Sequence, residues 1–112
     1  MIQIQLAIGG KEKTFRAVGV NMGVSLDAYS LYKEYSEAEG NYSEELIVRL
    51  NRFICDCFGN QFDEDELLAG YADSAFVLYP HMLREVVGYV HDKIVNFPEP
   101  AVTPEMIQTM RN

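Results

Sequence analysis

Four consecutive acids at residues 63–66, in FGNQFDEDELLAGYAD, are the densest group of chemically capable side chains in this sequence. Carboxylates in a row can ligate a hard cation or share a catalytic proton. A calcium loop, however, needs a glycine at its sixth position and a glutamate at its twelfth, and neither is present. Cys55 and Cys57 stand two apart in ICDCFG. On a helix that spacing sets the thiols ~200° apart, which suits neither a shared metal nor a mutual disulfide. No second cysteine pair exists to complete a zinc site. Both cysteines are expected to be reduced, one buried and one near the surface. His81 and His91 fall on one long predicted helix, ~80° out of phase and ~15 Å apart, too far to share an ion. No serine sits in a Gly-x-Ser-x-Gly elbow. Gly9-Gly10-Lys11 and residues 19–23 lack a phosphate-loop or dinucleotide pattern. No catalytic residue, metal ligand or cofactor is therefore assigned, and the expectation is a non-enzyme.

The acids have a structural explanation. With Asp63 as N-cap, Glu66 becomes N3 and the pair forms a capping box. Phe62 and Leu67 then occupy the two positions of a hydrophobic staple. Glu64 and Asp65 lie in the first turn, where the helix dipole favours negative charge. Gly70 is the expected stop. Each residue type from Phe62 to Leu67 is explained without a ligand.

The elements that carry these residues follow from periodicity. Ile2, Ile4, Leu6 and Ile8 alternate with polar or small neighbours, which predicts a half-buried strand. Gly9-Gly10 precedes a second strand-like run containing Thr14, Phe15 and Val18, which predicts a hairpin over residues 1–18. Its loop is either the two glycines alone or residues 9–12. Ser25 is the expected N-cap of a helix reaching Glu39, with Gly40 as its stop. It carries Ala28, Tyr29, Leu31, Tyr32 and Tyr35. Ser43 caps the next helix, whose stripe is Leu46, Ile47, Leu50, Phe53, Ile54 and Cys57, ended by Gly59. Asp73 is expected to cap a short turn up to Tyr79. Pro80 would then open a long helix with Leu83, Val86, Val87, Val90 and Ile94 inward, closed by Pro98 and Pro100. Pro104 starts a last short helix. The predicted fold class is α+β: an N-terminal β-hairpin, then a mostly α-helical bundle of about four helices. Residues 1–112 read as one domain, with the helical core at 25–97 and a Pro-flanked helix in 98–112.

The formal net charge of −8 is uneven: residues 1–24 carry +2, residues 25–72 carry −8 and residues 73–112 carry −2. An acidic middle disfavours phosphate backbones, so no nucleic-acid partner is expected, although an acidic nucleic-acid mimic would share this charge. No apolar run approaches the ~18 residues of a membrane span, and no secretory signal is expected.

The stretch IGGKEKTFRA (residues 8–17), the acidic helices, and then Phe58-Gly59, Gln61-Phe62, the acids from Asp63 to Glu66, Leu67 and Gly70-Tyr71-Ala72-Asp73 together resemble the tail assembly chaperones of long-tailed bacteriophages and prophages of Gram-positive hosts. The resemblance spans about residues 2–97. Tyr71-Ala72 departs from a tighter Leu-Asp turn, and Tyr79-Pro80-His81 differs from the usual approach to the last long helix. The resemblance implies a protein that binds the tape measure protein in the host cytoplasm and keeps it soluble. It implies recruitment of tail tube subunits, self-association, and absence from the mature virion. With the charge and motif readings above, no cofactor, nucleic acid or membrane partner is expected. Tyr32, Tyr35 and Tyr71 are the candidate partner contacts, because tyrosine offers large area at low entropy cost. A small head–tail joining protein retained in the virion is the alternative.

Overall fold

The computed structural model describes residues 2–88. Strands β1 (Gln3–Ile8) and β2 (Lys11–Arg16) form an antiparallel hairpin. It closes on the pair Ile8–Lys11, so the loop is Gly9-Gly10 alone. Both glycines have positive φ, 61° and 77°, as a primed two-residue turn requires. Ile2, Ile4 and Leu6 are buried beneath the hairpin, whereas β2 contributes only the half-buried Phe15. Val18 is exposed rather than inward.

Four helices follow: α1 (Met22–Ala38), α2 (Glu44–Cys57), α3 (Glu64–Gly70) and α4 (Ala75–Val87). Helix α1 packs on α2 and α4, while α3 packs between β1 and α2. The core runs continuously from the hairpin through Leu50, Ile54, Phe58, Phe62 and Leu67 to Tyr79, Met82, Leu83 and Val86.

Helix α1 begins one turn earlier than Ser25 implies. Asn21 is the N-cap and its Oδ1 accepts the Val24 N–H at 2.9 Å. Asparagine caps as well as serine does. Ser25 lies inside the helix, and its hydroxyl donates back to the Asn21 carbonyl at 2.9 Å. The helix ends at Ala38, with Glu39 and Gly40 both left-handed.

Helix α4 is also longer at its start. Ser74 is the cap, with its Oγ accepting from Phe76 N at 3.2 Å, and Asp73 Oδ1 only accepts the Ser74 N–H. Pro80 sits inside the helix instead of opening it. A proline there removes one hydrogen bond to the carbonyl four residues back. Burial of Leu78 and Tyr79 just before it keeps the turn helical. Val87 faces outward. The expectations for Val90, His91, Ile94, Pro98, Pro100 and the helix from Pro104 lie outside the described residues.

Ser43 caps α2 through its Oγ and the Leu46 N–H at 3.1 Å. The stripe is buried as its spacing predicts, except that Ile47 is only partly covered. Both cysteines are buried, correcting the placement of one near the surface. The last turn of α2 is covered on two sides, by α3 and by the segment after β2, where Gly19 N donates to the Cys57 carbonyl at 3.0 Å.

The capping box of α3 is complete. Asp63 Oδ1 accepts from Glu66 N at 2.8 Å, and Glu66 Oε1 accepts from Asp63 N at 3.1 Å. Phe62 and Leu67 are both buried, each worth about 1.5–3 kcal/mol of apolar transfer. Helix α3 ends at Gly70 as expected, but not through a left-handed glycine. This residue has no positive φ and lies against β1. A Cβ there would stand 2.8 Å from the Ala7 carbonyl oxygen and 3.2 Å from its nitrogen. Its role is close approach of helix and strand.

Asp63→Ala is expected to lower stability by about 1 kcal/mol through loss of the N-cap. Urea denaturation measures it. A midpoint equal to that of the parent would mean that the box does not hold the start of α3.

Candidate partner-binding surface

The side chains with chemical potential are mostly engaged in structure. Asp63 and Glu66 are committed to the cap, and Glu64 accepts from Asn51 Nδ2 at 3.3 Å. Burial, reinforced by Glu64 and other acids, pushes the Cys55 thiol up to about 11. Burial and Asp56 push Cys57 up to about 12. Burial thus favours the protonated thiol at both positions, which works against a nucleophilic role. His81 is exposed on α4. Among the described residues no three His, Cys, Asp or Glu side chains converge as metal ligands.

The motif from Phe58 to Gly70 instead fastens the hairpin to the helices. Gly59 and Asn60 are consecutive left-handed residues, φ 62° and 57°, which turn the chain off α2. Gln61 then donates through Nε2 to the carbonyls of both Phe58 and Arg16, each at 2.8 Å. One side chain thus ties the end of β2 to the α2–α3 loop. Phe62 packs its ring on Phe58 and Phe15, with centroids 5.4 and 5.1 Å apart.

The three candidate tyrosines are not brought together. Tyr35 belongs to a closed ring of four aromatics. It stacks on Tyr42 at 4.4 Å, Tyr42 stacks on Phe76 at 5.4 Å, Phe76 meets Tyr79 edge-on at 6.0 Å, and Tyr79 meets Tyr35 at 6.5 Å. The ring ties α1, the α1–α2 loop and α4. Burial and the hydroxyl of Tyr42 push Tyr35 up to about 12. Tyr71, after α3, is half-buried and separates two surface grooves. One lies toward Ile4, Leu78 and Met82, the other toward Leu67, Leu68 and Tyr79. Only Tyr32, 41 % exposed, stands on an open helix face.

Beside it lies Met22, which the expected start at Ser25 left outside the helix, in line with Leu26 and Tyr29. Met22, Leu26 and Tyr29 are 79 %, 64 % and 65 % exposed, on the side of α1 away from Ala28 and Leu31. Their spacing of i, i+4 and i+7 is the signal that finds them once the helix starts at Met22. On α1 and α2, Arg49 forms a bidentate pair with Glu34 at 3.0 and 2.7 Å. This pair holds the Glu34 carboxyl below its usual range, chiefly through the hydrogen bond. Phe76, Val77 and Val87 form a second set of exposed apolar side chains, on α4. No helix among the described residues is long and apolar enough to cross a membrane.

A hairpin packed on α3 and joined to a four-helix body, with exposed apolar side chains on α1 and α4, offers helix surfaces to a protein partner. A family model described as phage tail chaperone protein matches residues 1–95, and the chain belongs to that family. It is therefore a tail assembly chaperone. No curated protein and no solved structure matches the chain.

Proposed function

We propose that this chaperone binds the tape measure protein of its phage in the host cytoplasm, keeps it soluble, and helps bring tail tube subunits to it before leaving the assembling tail. The observation that carries this is the outer face of α1, where Met22, Leu26 and Tyr29 are exposed at helical spacing. A tape measure is a long helix with apolar stretches, and an apolar helix surface can cover such stretches in the helix-against-groove manner. The net charge of −8 supplies solubility to the complex.

Co-expression tests the proposal. The tape measure protein alone is expected in the insoluble fraction, and with this chain it is expected to stay soluble and co-purify. Equal solubility without the chain, and no complex at micromolar concentration in low salt, would overturn it. Mass spectrometry of purified particles separates this role from a joining protein, which would remain in the virion.

A further inference from the structure

We infer that residues 94–97 of this chain, Ile-Val-Asn-Phe, add as a third strand to the free edge of β1 and fill the groove between that edge and α4. The inference goes beyond the function proposed above and does not depend on it. The free edge follows from the register of the hairpin. The Ala17 N–H donates to the Ile2 carbonyl at 3.0 Å, and in an antiparallel ladder every second pair exchanges its bonds. Ile2, Ile4, Leu6 and Ile8 therefore turn their N–H and C=O groups to β2. Gln5 and Ala7 turn theirs the other way. Ala7 is covered on that side, since Gly70 lies against its nitrogen and oxygen. Among the described residues the main chain of Gln5 has no partner there, and its side chain reaches over β2 to Thr14 Oγ1 at 3.5 Å. Past Gly70 this edge opens on a groove of about 460 Å³, lined by Ile4 and Gln5 from β1, by Leu78, His81 and Met82 from α4, and by Tyr71. A strand edge beside such a groove takes an extended segment: the backbone supplies the bonds and alternate side chains supply the fit.

The occupant is argued from where the chain leaves α4. Gly88 is the C-cap of the helix that forms one wall of the groove, and residues 89–112 follow it. Gly88 stands ~9 Å beyond Met82 along the helix axis, and residues 89–93 span up to ~17 Å, enough to turn back to the groove. Ile94, Val95 and Phe97 are β-favouring, and Pro98 and Pro100 stop a strand directly after them. Val95-Asn96-Phe97 repeats the apolar-polar-apolar order of Ile4-Gln5-Leu6. With Asn96 opposite Gln5, the two exchange both main-chain bonds, Val95 and Phe97 point inward on the side of Ile4 and Leu6, and the two amide side chains share the outer face. A tether this short gives an effective concentration on the order of millimolar, which favours the chain's own segment over a free one of equal affinity.

Hydrogen exchange of the Gln5 amide in the full chain tests the inference. Thr14, whose N–H points off the opposite edge of the hairpin, is the internal reference. In the parent the Gln5 amide is expected to exchange at least tenfold more slowly than that of Thr14. Val95→Ser with Phe97→Ser, and separately Asn96→Pro, are each expected to remove that difference while the Ile54 amide, in the core, stays protected. Should the serine variant also expose Ile54, Asn96→Pro decides, because it deletes a donor without deleting an apolar side chain. Ile94→Ser, on the outer face, is expected to exchange as the parent does. A Gln5 amide as open as Thr14 in the parent would overturn the inference. So would protection that survives Asn96→Pro. Protection that rises with protein concentration would assign the edge to a second copy instead and overturn it as well.

Discussion

Gly19→Ala is expected to lower the unfolding free energy by about 3 kcal/mol, the upper end of what overpacking against a fixed neighbour costs. Gly19 joins the hairpin to the helices, and its N–H donates to the Cys57 carbonyl at 3.0 Å. A Cβ at this position would overlap the carbonyl oxygen of Asp56 and stand 3.0 Å from the nitrogen of Gly59. Both neighbours are backbone, so no rotamer change relieves the clash. That backbone is also tied down, since Gly59 N donates to Asp56 O and Asn60 N to Cys55 O, each at 2.9 Å. The hairpin must move off the end of α2, and the Gly19–Cys57 bond must weaken with it. Gly10→Ala is the control. Its added Cβ meets nothing within 4 Å, and its φ of 77° alone should cost about 1–2 kcal/mol. Urea denaturation of the two variants distinguishes them. If Gly19→Ala unfolds no earlier than Gly10→Ala, close approach is not what requires glycine at residue 19.

What the sequence made legible was local. The hairpin follows from alternation and paired glycines, α2 from its stripe and Ser43, and the start of α3 from the four acids and their apolar neighbours. Each signal lies within a few residues of the structure it specifies. What it hid was decided by a close local competition at the start of α1 and elsewhere by packing against other elements. Asn21 outcompetes Ser25 as a cap, and Gly23 in the first turn masks the helical start. Pro80 lies mid-helix because Leu78 and Tyr79 are buried. Gly70 does end α3, but the reason glycine is needed there, its close approach to β1, is invisible locally. The surface was partly legible for the same reason. The tyrosines on α1 were visible as candidates, but which of them is open depends on Tyr42 and Phe76, which take up Tyr35. The exposed apolar side chains on the outer face of α1 include Met22 only because the cap falls at Asn21.

Asn51→Leu is expected to cost about 2–3 kcal/mol, in spite of replacing a polar side chain by an apolar one of similar size in the core. Asn51, 3 % exposed, is the buried polar residue among the described residues. Tyr79 donates its hydroxyl to Asn51 Oδ1 at 2.6 Å, and Asn51 donates on to Glu64 at 3.3 Å. The chain of bonds links α4, α2 and α3, and Tyr79 is itself a member of the aromatic ring that reaches α1. Leucine leaves a tyrosine hydroxyl buried with no acceptor, and the desolvation of that group is then uncompensated. Tyr79→Phe leaves the Asn51 oxygen in the same position and should cost about 1–2 kcal/mol. The double variant removes both polar partners, so it should be less destabilised than the sum of the singles by about 1–2 kcal/mol. Guanidinium unfolding of the four proteins closes the cycle. Additivity within about 0.3 kcal/mol would mean that the two side chains are not coupled, and that the helices are held together by apolar packing and the aromatic ring alone.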